Sequence, residues 1–312
     1  MKTIKRISSI GLGAIGCAYN SKLYDLNPEG LRVIAGGERA DRYRRDGFII
    51  NGKRYDFMYV DPKDRCEPAD LIIVSVKANQ LKQAVEDIKN HVGDNTIIIS
   101  LMNGITSEKI IGSKYGMDKM LYALCIAIDG NRRGSHIEFS SYGSIAFGEE
   151  NNRYHSEKVK AVEDLFERAG IQYEIPEDMK KSMWYKFMIN VGINQTSAVL
   201  GATYGLFQNN DNARKFMESA MWEVIRLSQK AGANLNGNDI KKWYEVLDTM
   251  PKDSGTSMFQ DIKYGRDTEV DMFAGTVCEL GEKYNVDTPV NNTLLNIIKV
   301  IEKTKVLACK DY

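Results

Sequence analysis

Residues 7–26 read ISSIGLGAIGCAYNSKLYDL, and the fold turns on how this stretch is read. ISSI predicts a strand and AIGCAYNSKLYDL a helix, with Gly11, Gly13 and Gly16 between them in G-x-G-x-x-G spacing. The spacing alone is weak. A strand before it and a helix after it supply the context that gives it meaning. In that context Gly11 permits the tight turn, Gly13 lets a pyrophosphate approach the backbone, and Gly16 lets the helix pack on the strand. Gly11, Leu12, Gly13, Ala14, Ile15 and Gly16 are therefore candidate cofactor contacts, with the anion at a helix N-terminus whose amides have no intrahelical partner.

Outward from this motif, strands and helices alternate. LRVIAGG (31–37) reads as a second strand and ERADRYRRDG (38–47) as a charged helix. FIINGKRYDFMYV (48–60) carries an Asn51-Gly52 pair that predicts a hairpin turn. ADLIIVSV (69–76) and NTIIISLM (95–102) are continuous aliphatic runs, as expected of strands covered on both faces. KMLYALCIAI (119–128) and GSIAFGEE (143–150) add strands before the helix SEKVKAVEDLFERAG (156–170). Such alternation implies a doubly wound parallel sheet of the Rossmann type. From residue 179 onward every long stretch has helical periodicity. The expected organisation is an α/β dinucleotide-binding domain over 1–177 followed by an all-α domain over 178–312.

Composition narrows the function. The 312 residues hold 42 basic and 42 acidic side chains, without the electrostatic footprint of a nucleic-acid binder. No apolar run approaches the roughly 18 residues that span a bilayer, so no membrane partner is expected. The start MKTIKRISSIGLGAIG has basic residues before an apolar run, but Ser8 and Ser9 break that run and the glycines follow directly. Cys17, Cys66, Cys125, Cys278 and Cys309 are odd in number and lack metal-ligand spacing, as do His91, His136 and His155. Reduced thiols, a cytoplasmic location and no metal are the expectation.

The second strand bears on the cofactor. An NAD site usually carries an acid about 20 residues past the glycines. Here Ala35, Gly36 and Gly37 occupy that region, and Arg39 follows Glu38. The glycines leave room for a 2′-phosphate that Arg39 could pair with. Lys77, in VSVKANQ, lies at the carboxyl end of a buried strand, where ligands bind in open α/β sheets. NADP is the favoured cofactor.

A polar row marks the second half. In MWYKFMINVGINQ (183–195), Lys186, Asn190 and Asn194 stand four apart on an otherwise apolar helix. On an α-helix they would turn by only ~40° per step and share one face. An ammonium and two amides in line on a buried helix suggest a site. Two further stretches join them, SLMNGI with Asn103 and SGTSMFQDIKYGRDTEVD with Ser254, Ser257 and Glu269.

Together with the glycine motif, K-x-x-x-N-x-x-x-N and S-M-x-x-D-x-x-x-G-R-x-T-E-V-D resemble the ketopantoate reductase (2-dehydropantoate 2-reductase) family over essentially the whole chain. The resemblance implies a nucleotide-binding N-domain and a helical C-domain of the 6-phosphogluconate-dehydrogenase-like type. It also implies NADPH-dependent reduction of 2-dehydropantoate to pantoate, a step of pantothenate and coenzyme A synthesis. By the same resemblance Lys186 is the general acid and Glu269 binds the substrate hydroxyl. Asn103, Asn190, Asn194, Ser254 and Ser257 are substrate-side residues, Asn103 also borders the cofactor, and Lys77 lies near its phosphate. The chain departs from the family pattern at Gly36, where Arg is common, at Ser254, and at Ala274 before Gly275. Two readings compete with this one: reduction of another branched 2-oxo acid, and NADP sensing without turnover. A small-molecule 2-oxo acid is the expected partner, and a homodimer is left open.

Overall fold

The structure is a computed structural model describing residues 3–308, so Cys309 lies outside the described residues. The chain divides into two compact units, Met1–Lys180 and Lys181–Tyr312.

In the first unit β1 (Ile7–Ile10) leads through α1 (Ala14–Leu26) to β2 (Leu31–Ile34) and α2 (Gly37–Asp46). Three short strands follow, β3 (Phe48–Ile50), β4 (Lys53–Tyr55) and β5 (Met58–Val60). The chain then runs through β6 (Leu71–Val74), α3 (Leu81–Asp87), β7 (Ile97–Ser100), α4 (Ser107–Tyr115), β8 (Met120–Arg133), β9 (His136–Gly148), α5 (Glu157–Arg168) and β10 (Tyr173–Glu174). The strand order is β4-β3-β9-β8-β7-β6-β1-β2-β5, with β10 on β9. From β5 to β8 every neighbouring pair is parallel. Chain direction across the sheet reverses between β1 and β6, which is the switch point of a doubly wound fold. Every residue of β1, β6 and β7 is buried, as their unbroken aliphatic character requires.

Two features differ from the sequence reading. FIINGKRYDFMYV does not stay together. β3 and β4 form the hairpin, with Asn51 and Gly52 at φ 46° and 79°, the positive angles of a type I′ turn. β5, however, pairs with β2 at the other end of the strand order. Only Asp56 and Phe57 separate β4 from β5, so the sheet curls until its ends are close. That curl encloses α1, which packs on β1, β2, β3, β8 and β9. Its residues Gly16–Ser21 and Leu23 are all buried, which explains its weak amphipathic pattern. The second difference is that β8 and β9 run on to Arg133 and back from His136 as a long antiparallel pair. The polar HIEFS segment alternates exposed and buried residues, as a half-buried strand does.

The second unit is helical. α6 (Met179–Ile189) runs into a π-helical turn at Asn190–Asn194 and then α7 (Gln195–Leu200). α8 (Tyr204–Asn209), α9 (Asp211–Lys230), α10 (Gly237–Leu247) and α11 (Ser257–Lys263) follow. A second π-helical turn at Asp271–Gly275 precedes α12 (Thr276–Tyr284) and α13 (Pro289–Ala308). The helical stretch over 179–200 is thus interrupted by a wider turn, and a second wider turn opens the helix that ends at Tyr284. Among the described residues no helix is long and apolar enough to cross a membrane, and no group of three metal-ligating side chains is assembled. Cys17 and Cys125 are buried and, like the half-buried Cys66 and Cys278, are free thiols.

One buried base in the first unit sets a pH limit. His91 is fully buried, and its Nδ1 is hydrogen-bonded to Ser8 Oγ at 2.8 Å. Nε2 has no hydrogen-bond partner among the described residues. Burial first, and the Arg32 charge second, push its pKa down from 6.5 to about 4. The unfolded chain therefore takes up a proton below pH 6.5 that the folded chain refuses until about pH 4. Stability from this group is complete above 6.5 and is lost as pH falls through that window. Calorimetric melting from pH 7.5 to 4.5 should show His91→Gln losing less stability than the parent. Equal losses would place the acid sensitivity elsewhere.

Candidate functional site

Because β1, β2, β6 and β7 are parallel and in register at Ile10, Ile34, Val74 and Ser100, the segments following them leave the same edge of the sheet. Gly11, Gly36, Lys77 and Asn103 are all on those segments. Gly11 has φ +101°, and a Cβ there would lie 2.4 Å from the Ser75 carbonyl oxygen. Ser75 Oγ donates to the Gly11 carbonyl at 2.9 Å and braces the turn from β6. A Cβ on Gly16 would lie 2.0 Å from the Gly11 carbonyl oxygen, so α1 sits against the turn with no room for a side chain. Gly13 is different. A Cβ there meets nothing within 4 Å, and Gly13 caps α1 without any side-chain hydrogen bond. The first amides of α1 thus face open space, and these features fit a dinucleotide pyrophosphate.

Around this loop the structure adds two residues that the sequence reading missed. Arg132, from β8, donates from Nη1 to the Leu12 carbonyl, bringing a cation to the glycine turn from 120 residues away in sequence. Asp61, just after β5, places its carboxylate beside Gly36. Arg39 lies exposed in the first turn of α2, and Lys77 is exposed after β6. A separate cavity of about 330 Å³ opens at the opposite edge of the strands, lined by Asp70, Asp94, Asp118, Glu157 and Lys158 among others. Its four carboxylates outnumber the two ammonium groups of Lys119 and Lys158, a balance that opposes an anionic nucleotide and favours the glycine edge.

In the second unit Lys186 is half-buried on α6, and Trp184, Phe187 and Met188 on the same helix are buried. Asn190 and Asn194 are the first and last residues of the π-helical turn, which corrects the simple α-helical row. A π turn spreads one turn over more residues, so four residues fall short of a full revolution rather than overshooting it. The step from Asn190 to Asn194 then turns back against the advance from Lys186 to Asn190, and the row is straighter than α geometry would make it. Gly192 permits the turn: a Cβ there would lie 2.4 Å from Met221 Cε on α9.

The other candidates of this unit gather around that turn. α11 and the π turn at Asp271–Gly275 both pack on it. Ser197 Oγ donates to the Asn194 carbonyl at 3.1 Å and is hydrogen-bonded to Thr256 Oγ1 at 2.7 Å. Thr256 in turn caps α11 by accepting from the Phe259 amide, so Asn194 is tied to the start of the helix that begins with Ser257. Glu269 is half-buried, and its carbonyl accepts from the Met272 and Phe273 amides at the entrance to the second π turn. Ser254 lies in the loop before α11 with its side chain exposed. Arg39, Lys77, Asn103 and the glycine loop belong to the first unit, and the remaining candidates to the second.

Gln195 joins the two π turns and was not singled out by sequence. Fully buried, it donates from Nε2 to the Val191 carbonyl at 2.7 Å and to Asn291 Oδ1 at 3.0 Å. Its Oε1 accepts from the Ala274 amide at 3.0 Å. Asn291 donates onward to Glu223 Oε2 at 2.7 Å. A helix that widens frees backbone groups, and here one side chain satisfies a carbonyl of the first π turn and an amide of the second. Nothing local in the sequence signals this, because Gln195 and Asn291 meet only in the folded unit.

Comparison with known proteins gives a uniform picture. The family pattern described as Ketopantoate reductase PanE/ApbA matches residues 7–152, and its C-terminal counterpart matches residues 178–302. The 2-dehydropantoate 2-reductase of Aquifex aeolicus is 26% identical over 302 residues, covering 94% of this chain and 96% of that one. The 2-dehydropantoate 2-reductase of Archaeoglobus fulgidus is 25% identical over 304 residues, covering 96% and 98%. Among solved structures, a ternary complex of D-mandelate dehydrogenase with NADH and anilino(oxo)acetate superposes with a TM-score of 0.86 at 22% identity, covering 96% of this chain and 99% of that one. The dimeric ketopantoate reductase from Staphylococcus aureus gives 0.80 at 19%, with the same coverage. At such identities the structural likeness is one of fold.

The Gln195 bridge yields a stability test. Gln195→Leu would leave the Val191 carbonyl, the Ala274 amide and Asn291 Oδ1 without this partner. Each buried unsatisfied group costs about 1–3 kcal/mol, so the second unit should lose about 3 kcal/mol or more. Trp184, Trp222 and Trp243 all lie in this unit, so urea unfolding followed by tryptophan fluorescence reads it directly. A loss below about 1 kcal/mol would show the bridge to be dispensable.

Proposed function

The chain belongs to the ketopantoate reductase family, and from that premise we propose that it reduces 2-dehydropantoate to (R)-pantoate with NADPH. The observation that carries this reading is the packing of the amide-bearing π turn, directly after Lys186, against α11 and the turn that follows Glu269. In this proposal residues 1–177 hold the cofactor and residues 178–312 hold the substrate and the proton donor. The glycine loop from Gly11 to Gly16 takes the pyrophosphate, while Arg39 and Lys77 serve the adenosine phosphate. Asn103 orients the reacting carbonyl.

When bound, the nicotinamide supplies a hydride to the 2-oxo carbon. Lys186 Nζ gives its proton to the carbonyl oxygen, leaving a 2-hydroxy acid, and regains a proton from water. Asn190 and Asn194 hold the reacting 2-oxo acid through their amides, Ser254 and Ser257 its carboxylate end, and Glu269 accepts a hydrogen bond from its terminal hydroxyl. A lysine ammonium suits this role because it carries a proton that it can give to the carbonyl oxygen as the hydride arrives. A homodimer would accord with the dimeric Staphylococcus aureus relative.

Lys186→Ala should lower kcat by about 10²–10⁴-fold, the usual contribution of a general acid, with NADPH affinity nearly unchanged. A near-normal kcat would show the lysine to be structural. Glu269→Ala should raise KM for 2-dehydropantoate by about ten- to a hundredfold, the worth of a charge-assisted hydrogen bond, while a 2-oxo acid lacking the hydroxyl is little affected. The assay is NADPH absorbance against a panel of branched 2-oxo acids. If another acid is turned over faster than 2-dehydropantoate, the substrate assignment falls and the chemistry stands.

A further inference from the structure

At the carboxyl end of β2, where dinucleotide-binding sheets usually place an acid for the ribose 2′-hydroxyl, this chain has Gly36. The structure shows what fills the space. A Cβ on Gly36 would lie 2.8 Å from Asp61 Oδ2 and 3.0 Å from Pro62 Cδ. Asp61 follows β5, which runs parallel to β2, and the Ala35 amide donates to the Val60 carbonyl at 3.0 Å. The neighbouring strand thus delivers a carboxylate to the point where the side chain of an acid on β2 would begin.

That carboxylate is held in place by its own turn. Oδ1 accepts from the Lys63 amide at 2.9 Å, the Asp61 carbonyl accepts from the Asp64 amide at 2.9 Å, and the Pro62 carbonyl accepts from Asn90 Nδ2 at 3.0 Å. The turn uses Oδ1 and leaves Oδ2 on the Gly36 side. Beyond it, Gly37 has φ +57° with nothing within 4 Å of its Cβ position, and Arg39 follows on α2. A carboxylate accepts a hydrogen bond from a hydroxyl and repels a phosphate, while the guanidinium does the reverse of the second.

We propose that Asp61 reads the 2′ position of the adenosine ribose, accepting a hydrogen bond from a 2′-hydroxyl and opposing a 2′-phosphate, so that this site takes NADH as well as NADPH. The inference rests on the nucleotide site assigned above and concerns how strictly that site selects. Arg39 favours the phosphate and Asp61 resists it, which narrows the preference between the two cofactors. Gly36 is the complement of Asp61, since any side chain at 36 would displace the carboxylate.

Isothermal titration of the full chain with each reduced cofactor, without substrate, tests the proposal. Asp61→Asn keeps an acceptor for the Lys63 amide and removes the charge. It should weaken NADH and strengthen NADPH, widening the NADPH-to-NADH affinity ratio by about ten- to a hundredfold. Asp61→Ser, which can hold the same turn more weakly, should shift the ratio in the same sense, and Arg39→Ala in the opposite sense. An unchanged ratio in both Asp61 variants, or parallel weakening of both cofactors, would overturn the proposal and leave Asp61 a turn residue. Binding of neither cofactor by the parent chain would instead overturn the nucleotide site itself.

Discussion

The contact between Gly16 and the Gly11 carbonyl is the constraint on which the first unit is built. With the Gly16 Cβ position only 2.0 Å from that oxygen, α1 can reach the turn after β1 only because residue 16 has no side chain. The curled sheet then closes over the helix on five strands. Moving α1 outward would open the space that Cys17, Tyr19 and Leu23 fill, each almost fully buried. The same close approach aims the first amides of α1 at the sheet edge, so packing and ligand geometry come from one contact. An alanine at 16 would strain both at once.

The second unit solves its problem differently. Asn190 and Asn194 stand on one π turn and Glu269 lies just before another, and each such turn gives up regular hydrogen bonding to widen a helix. Isolated, such turns would leave backbone groups unpaired in a dry interior, where each carries a desolvation penalty. Gln195 removes the difficulty by serving both, and Thr196 Oγ1 donates to the Gly192 carbonyl at 2.7 Å as well. The π geometry and the polar side chains therefore come as a set. An apolar residue at 195 would favour an ordinary helix and would turn Asn194 away from its present direction.

Much of this was legible in the sequence because its causes are local. Continuous aliphatic runs gave the central strands, Asn51-Gly52 the hairpin, and the glycine spacing the turn after β1. What escaped had long-range causes. β5 reads as the continuation of β3 and β4, and only pairing with β2 reveals that it belongs at the other end of the strand order. HIEFS looks polar until its alternation is set against β8. Lys186, Asn190 and Asn194 were visible as a row, but the α-helical angle assumed for them was not the one the chain adopts. Packing against α9 at Gly192 selects the wider turn, and no propensity near residue 192 encodes that.

The two units also differ in what a substitution can do to their sites. The glycine loop presents backbone amides, so its chemistry survives exchange of side chains such as Leu12 or Ile15 so long as the turn is kept. The face of Lys186, Asn190 and Asn194 presents side chains, so each exchange there changes the polar groups that the face offers. Asp61 and Arg132 lie between these cases. They are side chains that reach a backbone-built site from β5 and β8, strands that are not part of the glycine motif. Variation at such positions can retune what the loop binds without disturbing the loop itself. Cofactor choice can therefore drift in this fold while the glycines and the hydride chemistry they support stay in place.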